Sequence, residues 1–211
     1  GRYRWMVFLP SVVDPAMPVS SHFYGVFDDG EIKCRGIETR RKDVPKIVAN
    51  MQLEMIEALA PATDEEEFLA LFPKIYKILR NYCANVESAT PDELMAICTI
   101  SKLDYANDIA QKIIVEQMKS EGYDVQPGMT IAYIIADNKN PNPLKRYVTL
   151  DSFEGVVDVQ KYRQLMVRAT FSILQPFGIT EELLHDKIKR IKQMRIKDYE
   201  KVEISKAILR A

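Results

Sequence analysis

The chain has 211 residues, 47% hydrophobic and 28% charged, the composition of a globular protein with length for one sizeable core or two small domains. Its formal net charge of −1 excludes a generally basic nucleic-acid coat, so any DNA or RNA contact must come from local patches. Cys34, Cys83 and Cys98, an odd and widely spaced set without a CxxC pair, read as reduced, buried cysteines of an intracellular protein, with neither a disulfide frame nor a zinc site. No window reaches about 18 uninterrupted apolar residues, and the start lacks the design of a secretion signal, so a cytoplasmic, non-membrane protein is expected.

The first predicted element is a strand, RYRWMVFLP (2–10), with Tyr3, Trp5, Val7 and Leu9 on one side and Met6 and Phe8 on the other. Apolar residues on both faces are the mark of a strand inside a sheet, so it needs partners, either the following hairpin or another polypeptide. Pro10, Pro15 and Pro18 punctuate an irregular loop over 10–21. A hairpin follows: Phe23, Tyr24, Val26 and Phe27 form one arm and Asp28-Asp29-Gly30 the turn, whose two central residues would both take positive φ. The return arm, 31–37, alternates Ile32, Cys34 and Gly36 with Glu31, Lys33 and Arg35. It runs into a basic knot, Arg40-Arg41-Lys42. Residues 31–46 hold six Lys/Arg against three acids, cations gathered on a strand face and at a helix start. That geometry suits a phosphate backbone, and a solvated charge run is the equally simple alternative.

From Val44 the period becomes helical, with Asp43 as the expected N-cap and Pro45 in the first turn. Ile47, Val48, Met51, Met55, Ile56 and Leu59 form the buried stripe. Pro61 and Thr63-Asp64 close this helix, and a second carries Phe68, Leu71, Phe72, Ile75, Ile78 and Leu79, kinked or broken at Pro73. Residues 91–101 read as a helix start or a strand, with β-branched Ile97, Thr99 and Ile100 favouring a strand near the end. A third helix over 106–121 buries Ile109, Ile113, Ile114 and Met118 and stops at Gly122. Gln126-Pro127-Gly128 is a turn, 129–137 a strand, and 138–146 a polar loop. A fourth helix over 159–174 stops at Gln175-Pro176-Phe177-Gly178. The tail, 181–211, is one or two amphipathic helices with Leu184, Ile188, Ile191, Tyr199 and Val202. Over 187–210 it holds nine Lys/Arg against three acids, a second basic patch.

Catalytic constellations are absent from the sequence: no phosphate-binding GxxxxGK[ST], no GxGxxG, no GxSxG and no HExxH. His22, placed in a loop, and His185, on a polar helix face, read as bystanders. Asp28-Asp29 serve a turn better than a metal, and Asp104 and Asp108, at i and i+4 on a shared helix face, are explained by solvation at a helix start. The residues describe a binding and shaping module and no complete enzyme.

Several ordered motifs nevertheless resemble one family. KCRGIETRRKDVPKIVANMQLEM looks like the segment after the palm active site of family B DNA polymerases, where RGIE-x-RR-x-D-x-P leads into the thumb. RYRWMVFLP resembles the palm strand that follows the catalytic aspartate turn, and YGVFDDG the adjacent hairpin. TISKLDY (99–105) is similar to the thumb's Ser-Lys motif with its following Tyr. QPGMTIAYII (126–135) resembles a thumb strand, and KYRQLMVRATFSILQPFG the last thumb helix. The motifs span about residues 2–178.

The resemblance implies an α+β fold: the end of a palm (1–43, strand plus hairpin), a mainly helical thumb (44–180) and a basic helical tail (181–211). It implies a thumb that grips the minor-groove side of primer–template DNA. Arg35, Arg40, Arg41 and Lys42 match the basic motif, and Ser101, Lys102 and Tyr105 the backbone-contacting group; such contacts are sequence-blind. Where the family often has Lys-Lys-Arg-Tyr before the hairpin glycine, this chain has Ser20-Ser21-His22-Phe23-Tyr24-Gly25, and its Ser-Lys to Tyr spacing is two residues shorter. The family's metal-binding aspartates, fingers and exonuclease lie upstream of the matched motifs. The chain is therefore expected to be the small subunit of a split archaeal-type polymerase or a fragment of a longer one. In either case it would be inactive alone, with no catalytic or metal-binding residue of its own. A large partner chain would bind Mg²⁺ for nucleotidyl transfer, and strand 2–10 would complete that partner's palm sheet. Two rivals stay open, a stand-alone DNA-binding or clamp-docking accessory module and a purely structural helical domain. Gln193 to Tyr199 loosely fits a sliding-clamp box, which would add a sliding clamp as partner.

Overall fold

The computed structural model describes residues 1–11, 14 and 17–189. The fold is α+β: two three-stranded antiparallel sheets and a largely helical body around one apolar core. The first sheet has the order β1 (Tyr3–Pro10), β2 (Pro18–Phe27), β3 (Ile32–Arg35). The hairpin thus supplies the partner of the first strand, which lies at a sheet edge with its side chains mostly half-buried and Phe8 44% exposed. β2 starts earlier than the proline-rich sequence predicts, because Pro18 stands opposite Pro10 at the strand ends, where missing N–H donors break no inner ladder. His22 therefore sits on a strand rather than in a loop.

At the β2–β3 turn Gly30 N–H donates to Phe27 O (2.9 Å), Phe27 N–H donates to Glu31 O (2.8 Å), and Asp29 Oδ1 accepts from Glu31 N–H (3.0 Å). Only Gly30 takes positive φ (+91°), so this is a longer loop ending in a left-handed glycine, and Asp29 escapes the strain that a two-residue turn would impose.

Helix α1 (Lys46–Leu59) buries the predicted stripe, each large side chain contributing about 2 kcal/mol of hydrophobic stabilisation. Its N-cap is Pro45, without a side-chain cap; Asp43 faces Arg41 instead. The next helical stretch divides into α2 (Glu65–Ala70), capped by Asp64, and α3 (Phe72–Asn85), whose first turn holds Pro73 where no N–H is lost. A single turn α4 (Pro91–Leu94), closed by a Thr90–Glu93 capping box, leads into β4 (Ala96–Thr99). Helix α5 (Ala110–Ser120) begins four residues later than expected, and Ile109 is exposed, while Ile113 and Ile114 are buried. Asp108 thus lies ahead of the helix, paired with Lys112 (3.0 Å), so Asp104 and Asp108 share no helix face.

β5 (Thr130–Ile135) pairs with β4 on one side and on the other with β6 (Tyr147–Thr149), to which the sequence reading assigns no element. Helix α6 (Val159–Leu174) is capped by Asp158 and ends in a 3₁₀ turn stopped by left-handed Gly178. Helix α7 (Glu181–Lys189) closes the described part, so the Gln193–Tyr199 segment and most of the basic tail lie outside the described residues.

Two tyrosines lock the sheets to the helices. Buried Tyr24 on β2 donates through Oη to Ile173 O in the last turn of α6 (2.7 Å). Tyr162 on α6 donates to Leu94 O (2.7 Å) and accepts from Ile135 N–H (3.1 Å), joining α6, α4 and β5 at one hydroxyl. Trp5 on β1 stands edge-on to Tyr24 and Phe68, and Phe68 packs on Phe72 and Phe177, so the first sheet shares its core with the helices.

Candidate nucleic-acid interface

The basic segment leaves β3 at Arg35 and turns at once. Gly36 takes φ +70°, and a Cβ there would lie 2.5 Å from the His22 ring and 2.8 Å from Ser21 O. Exposed His22 can swing aside; the Ser21 carbonyl cannot. Gly36→Ala is therefore expected to cost about 2 kcal/mol, the sum of the left-handed penalty and the close approach, read as a lower urea midpoint.

Buried Ile37 then anchors a 3₁₀ turn, Glu38–Arg40, followed by Arg41 and Lys42. Cys34 on β3 is half-buried, and burial pushes its thiol up against the opposing effect of the Arg40 charge. Arg35, Arg40, Arg41 and Lys42 are all exposed. Arg41 forms a fork with Asp43: Nε–Oδ1 3.0 Å and Nη2–Oδ2 2.6 Å. Those hydrogen bonds raise the arginine and hold the Asp43 carboxyl below its usual range. Lys46, counted with the cations above, is committed to Asp92 at 2.7 Å. Among the described residues Arg35, Arg40, Lys42 and Lys102 make no ion pair.

The Ser-Lys motif joins this segment through β4. Ile97 N–H donates to Lys42 O (2.9 Å), and Lys46 N–H donates to Met95 O (3.0 Å), so the basic segment runs alongside β4. Four residues beyond Ile97, about 13 Å of extended chain, come Ser101 and Lys102, both exposed. Tyr105 is buried, its hydroxyl placed against Ser101 N–H (3.1 Å), Lys102 N–H (3.3 Å) and Ser101 Oγ (3.3 Å). Burial acts to raise this phenol, but the hydrogen bonds from Ser101 and the two backbone donors together hold it below its ordinary value. Lys102 Nζ lies 5.3 Å from the Tyr105 ring centroid. Tyr105 thus organises the loop on which Ser101 and Lys102 stand.

Two residues that the sequence reading did not single out, Gln52 and Ser172, hold the basic turn through Glu38 and Thr39. Gln52, fully buried in the apolar stripe of α1, donates to Glu38 Oε2 (2.6 Å) and Ala169 O (2.8 Å) and accepts from Thr39 N–H (2.9 Å). Ser172 on α6 donates to Glu38 Oε1 (2.8 Å). The signal was present: Gln52 falls at i+4 from Val48 and i−4 from Ile56, a core position where an amide must find partners.

Among the described residues no group of three or more His, Cys, Asp or Glu is placed to hold a metal ion. Nor is any helix among them long and apolar enough to cross a membrane.

No family model matches the chain. It is 26% identical over 181 residues to the DNA polymerase of Pyrococcus horikoshii, covering 82% of this chain and 14% of that protein. It is 25% identical to the DNA polymerases of Thermococcus sp. strain 9oN-7 and Thermococcus kodakarensis, covering 82% of this chain in both cases, and 23% and 10% of those proteins. The chain therefore spans less than a quarter of the length of these curated relatives. The structure of the family B DNA polymerase from the hyperthermophilic archaeon Pyrobaculum calidifontis has the same fold over 79% of this chain and 22% of that one (TM-score 0.61, 19% identity). The chain is thus homologous, at low identity and to part of their length, to archaeal DNA polymerases, and it shares its fold with the family B enzyme of Pyrobaculum calidifontis.

Proposed function

We propose that this chain is the thumb-bearing part of a family B DNA-directed DNA polymerase and that it grips primer–template duplex by its phosphates. The observation that carries the reading is the set of exposed, ion-pair-free cations: Arg35 at the end of β3, Arg40 in the turn after it and Lys42, whose carbonyl pairs with β4, with Ser101 and Lys102 just beyond the end of β4. Cations and short donors bind a polyanion without reading its sequence, as a processive copying enzyme requires. In this reading residues 1–43 close a palm domain, 44–180 form the thumb and 181–211 a basic tail. The catalytic carboxylates and their Mg²⁺, with fingers and exonuclease, belong to polypeptide beyond these residues, whether a large partner chain or the rest of a longer one. Edge strand β1 is the segment that joins the palm sheet.

The test is an affinity capture of the chain from its source lysate, with primer extension assayed on the eluate and on the chain alone. Expected is a large co-eluting polypeptide and extension that needs both. A chain that grips duplex DNA with no large partner would be a fragment or an accessory module. No salt-dependent binding at all would leave a structural domain.

A further inference from the structure

An acid stands in the middle of the basic turn. Glu38 lies two residues before Arg40 and three before Arg41, yet neither is its ion-pair partner; Arg41 is taken by Asp43. By charge alone this carboxylate weakens any attraction between the turn and an anion. Its oxygens accept instead from two neutral donors on two helices, Gln52 Nε2 on α1 (2.6 Å) and Ser172 Oγ on α6 (2.8 Å). Gln52 in turn fixes the next residue, accepting from Thr39 N–H, and ties to α6 through Ala169 O. The backbone of the turn itself closes only through Arg40 N–H to Ile37 O and Arg41 N–H to Glu38 O. A three-residue 3₁₀ turn is marginal on its own, so the side-chain network sets where the turn points.

Resting on the phosphate-gripping reading, we propose that Glu38, held by Gln52 and Ser172, is a positioning residue. It presents Arg40 and Arg41 to the duplex in a preformed arrangement and ties that arrangement to the place of α6. The benefit is preorganisation: a turn already fixed loses less freedom when phosphates arrive, and that gain exceeds the repulsion of one acid. Position and charge therefore predict opposite signs for the same substitution.

The experiment is fluorescence anisotropy of a labelled primer–template duplex over a salt series, with the full chain carrying Glu38→Leu or Ser172→Ala. Glu38→Leu deletes the negative charge and both acceptor oxygens, and so leaves Gln52 Nε2 and Ser172 Oγ without their partner in the turn. Expected is binding about tenfold weaker and a log affinity–log salt slope shallower by about 0.9, the equivalent of one phosphate. Equal or tighter binding, as simple electrostatics requires, or weaker binding with an unchanged slope, would overturn the proposal. Ser172→Ala keeps the charge and removes a half-buried hydroxyl that reaches Glu38 Oε1 and, within its own helix, Arg168 O (3.0 Å), so it decides the matter should Glu38→Leu unfold. A fall of about threefold with cooperative unfolding retained is expected, and unchanged affinity would again overturn it. Wild-type chain without salt-dependent binding would instead remove the phosphate-gripping reading, and the positioning role with it.

Discussion

Replacing Arg40 and Arg41 together by alanine is expected to weaken duplex binding about a hundredfold at low salt. A hydrogen bond to a charged group contributes about 1.5–3 kcal/mol, so removing two such bonds at once costs roughly 3 kcal/mol. The same pair should make the salt slope shallower by about 1.8, and by the same amount on every sequence, because phosphate contacts carry no base information. The single variants should differ. Arg40 is unpaired and delivers its full contact, whereas Arg41 must first leave the Asp43 fork, an exposed pair worth about 0.2–1 kcal/mol. Arg41→Ala alone should accordingly cost less than Arg40→Ala. Asp43→Asn should tighten binding slightly by releasing Arg41 and removing a neighbouring negative charge. Anisotropy titrations at several salt concentrations measure all four. An unchanged slope in the double variant would take both arginines out of the interface.

Much of the fold is legible from local chemistry. Helix α6 is bounded by Asp158 and Gly178, strong cap and stop signals, so its sequence-predicted limits and its structure agree. The basic knot is legible because six cations in sixteen residues stand out against a nearly neutral chain. What stays hidden depends on partners distant in sequence. β6 is three residues long, too short for any period, and is a strand only because β5 lies beside it. Asp43 has the right type and place for a cap, but Arg41, two residues back, captures both carboxylate oxygens, and Pro45 occupies the cap. The grip on Glu38 comes from residues 14 and 134 positions away, a relation no spacing rule announces. The motif alone groups Tyr105 with Ser101 and Lys102; its buried ring and its hydroxyl, engaged with the loop's own donors, place it beneath them.

The second large effect concerns stability. Tyr162→Phe removes one oxygen and leaves the Leu94 carbonyl and the Ile135 N–H without the group that joins them. Tyr162 and Leu94 are essentially shielded from solvent and Ile135 is buried, so water cannot take the hydroxyl's place. A buried polar group left unsatisfied costs about 1–3 kcal/mol, and with two such groups the expected loss is about 4 kcal/mol. For a chain of this size that corresponds to a fall in Tm of roughly 8–16 °C. The burial that pushes this phenol far above its ordinary value is the same desolvation that makes its hydrogen bonds matter. Tyr24→Phe should cost less, since Tyr24 donates a single bond, to Ile173 O, and the contrast between the two variants isolates the second orphan. Thermal and urea unfolding of both settle the comparison. A loss for Tyr162→Phe no larger than that for Tyr24→Phe would mean that Leu94 and Ile135 find other partners, and that α6, α4 and β5 are held together by apolar packing alone.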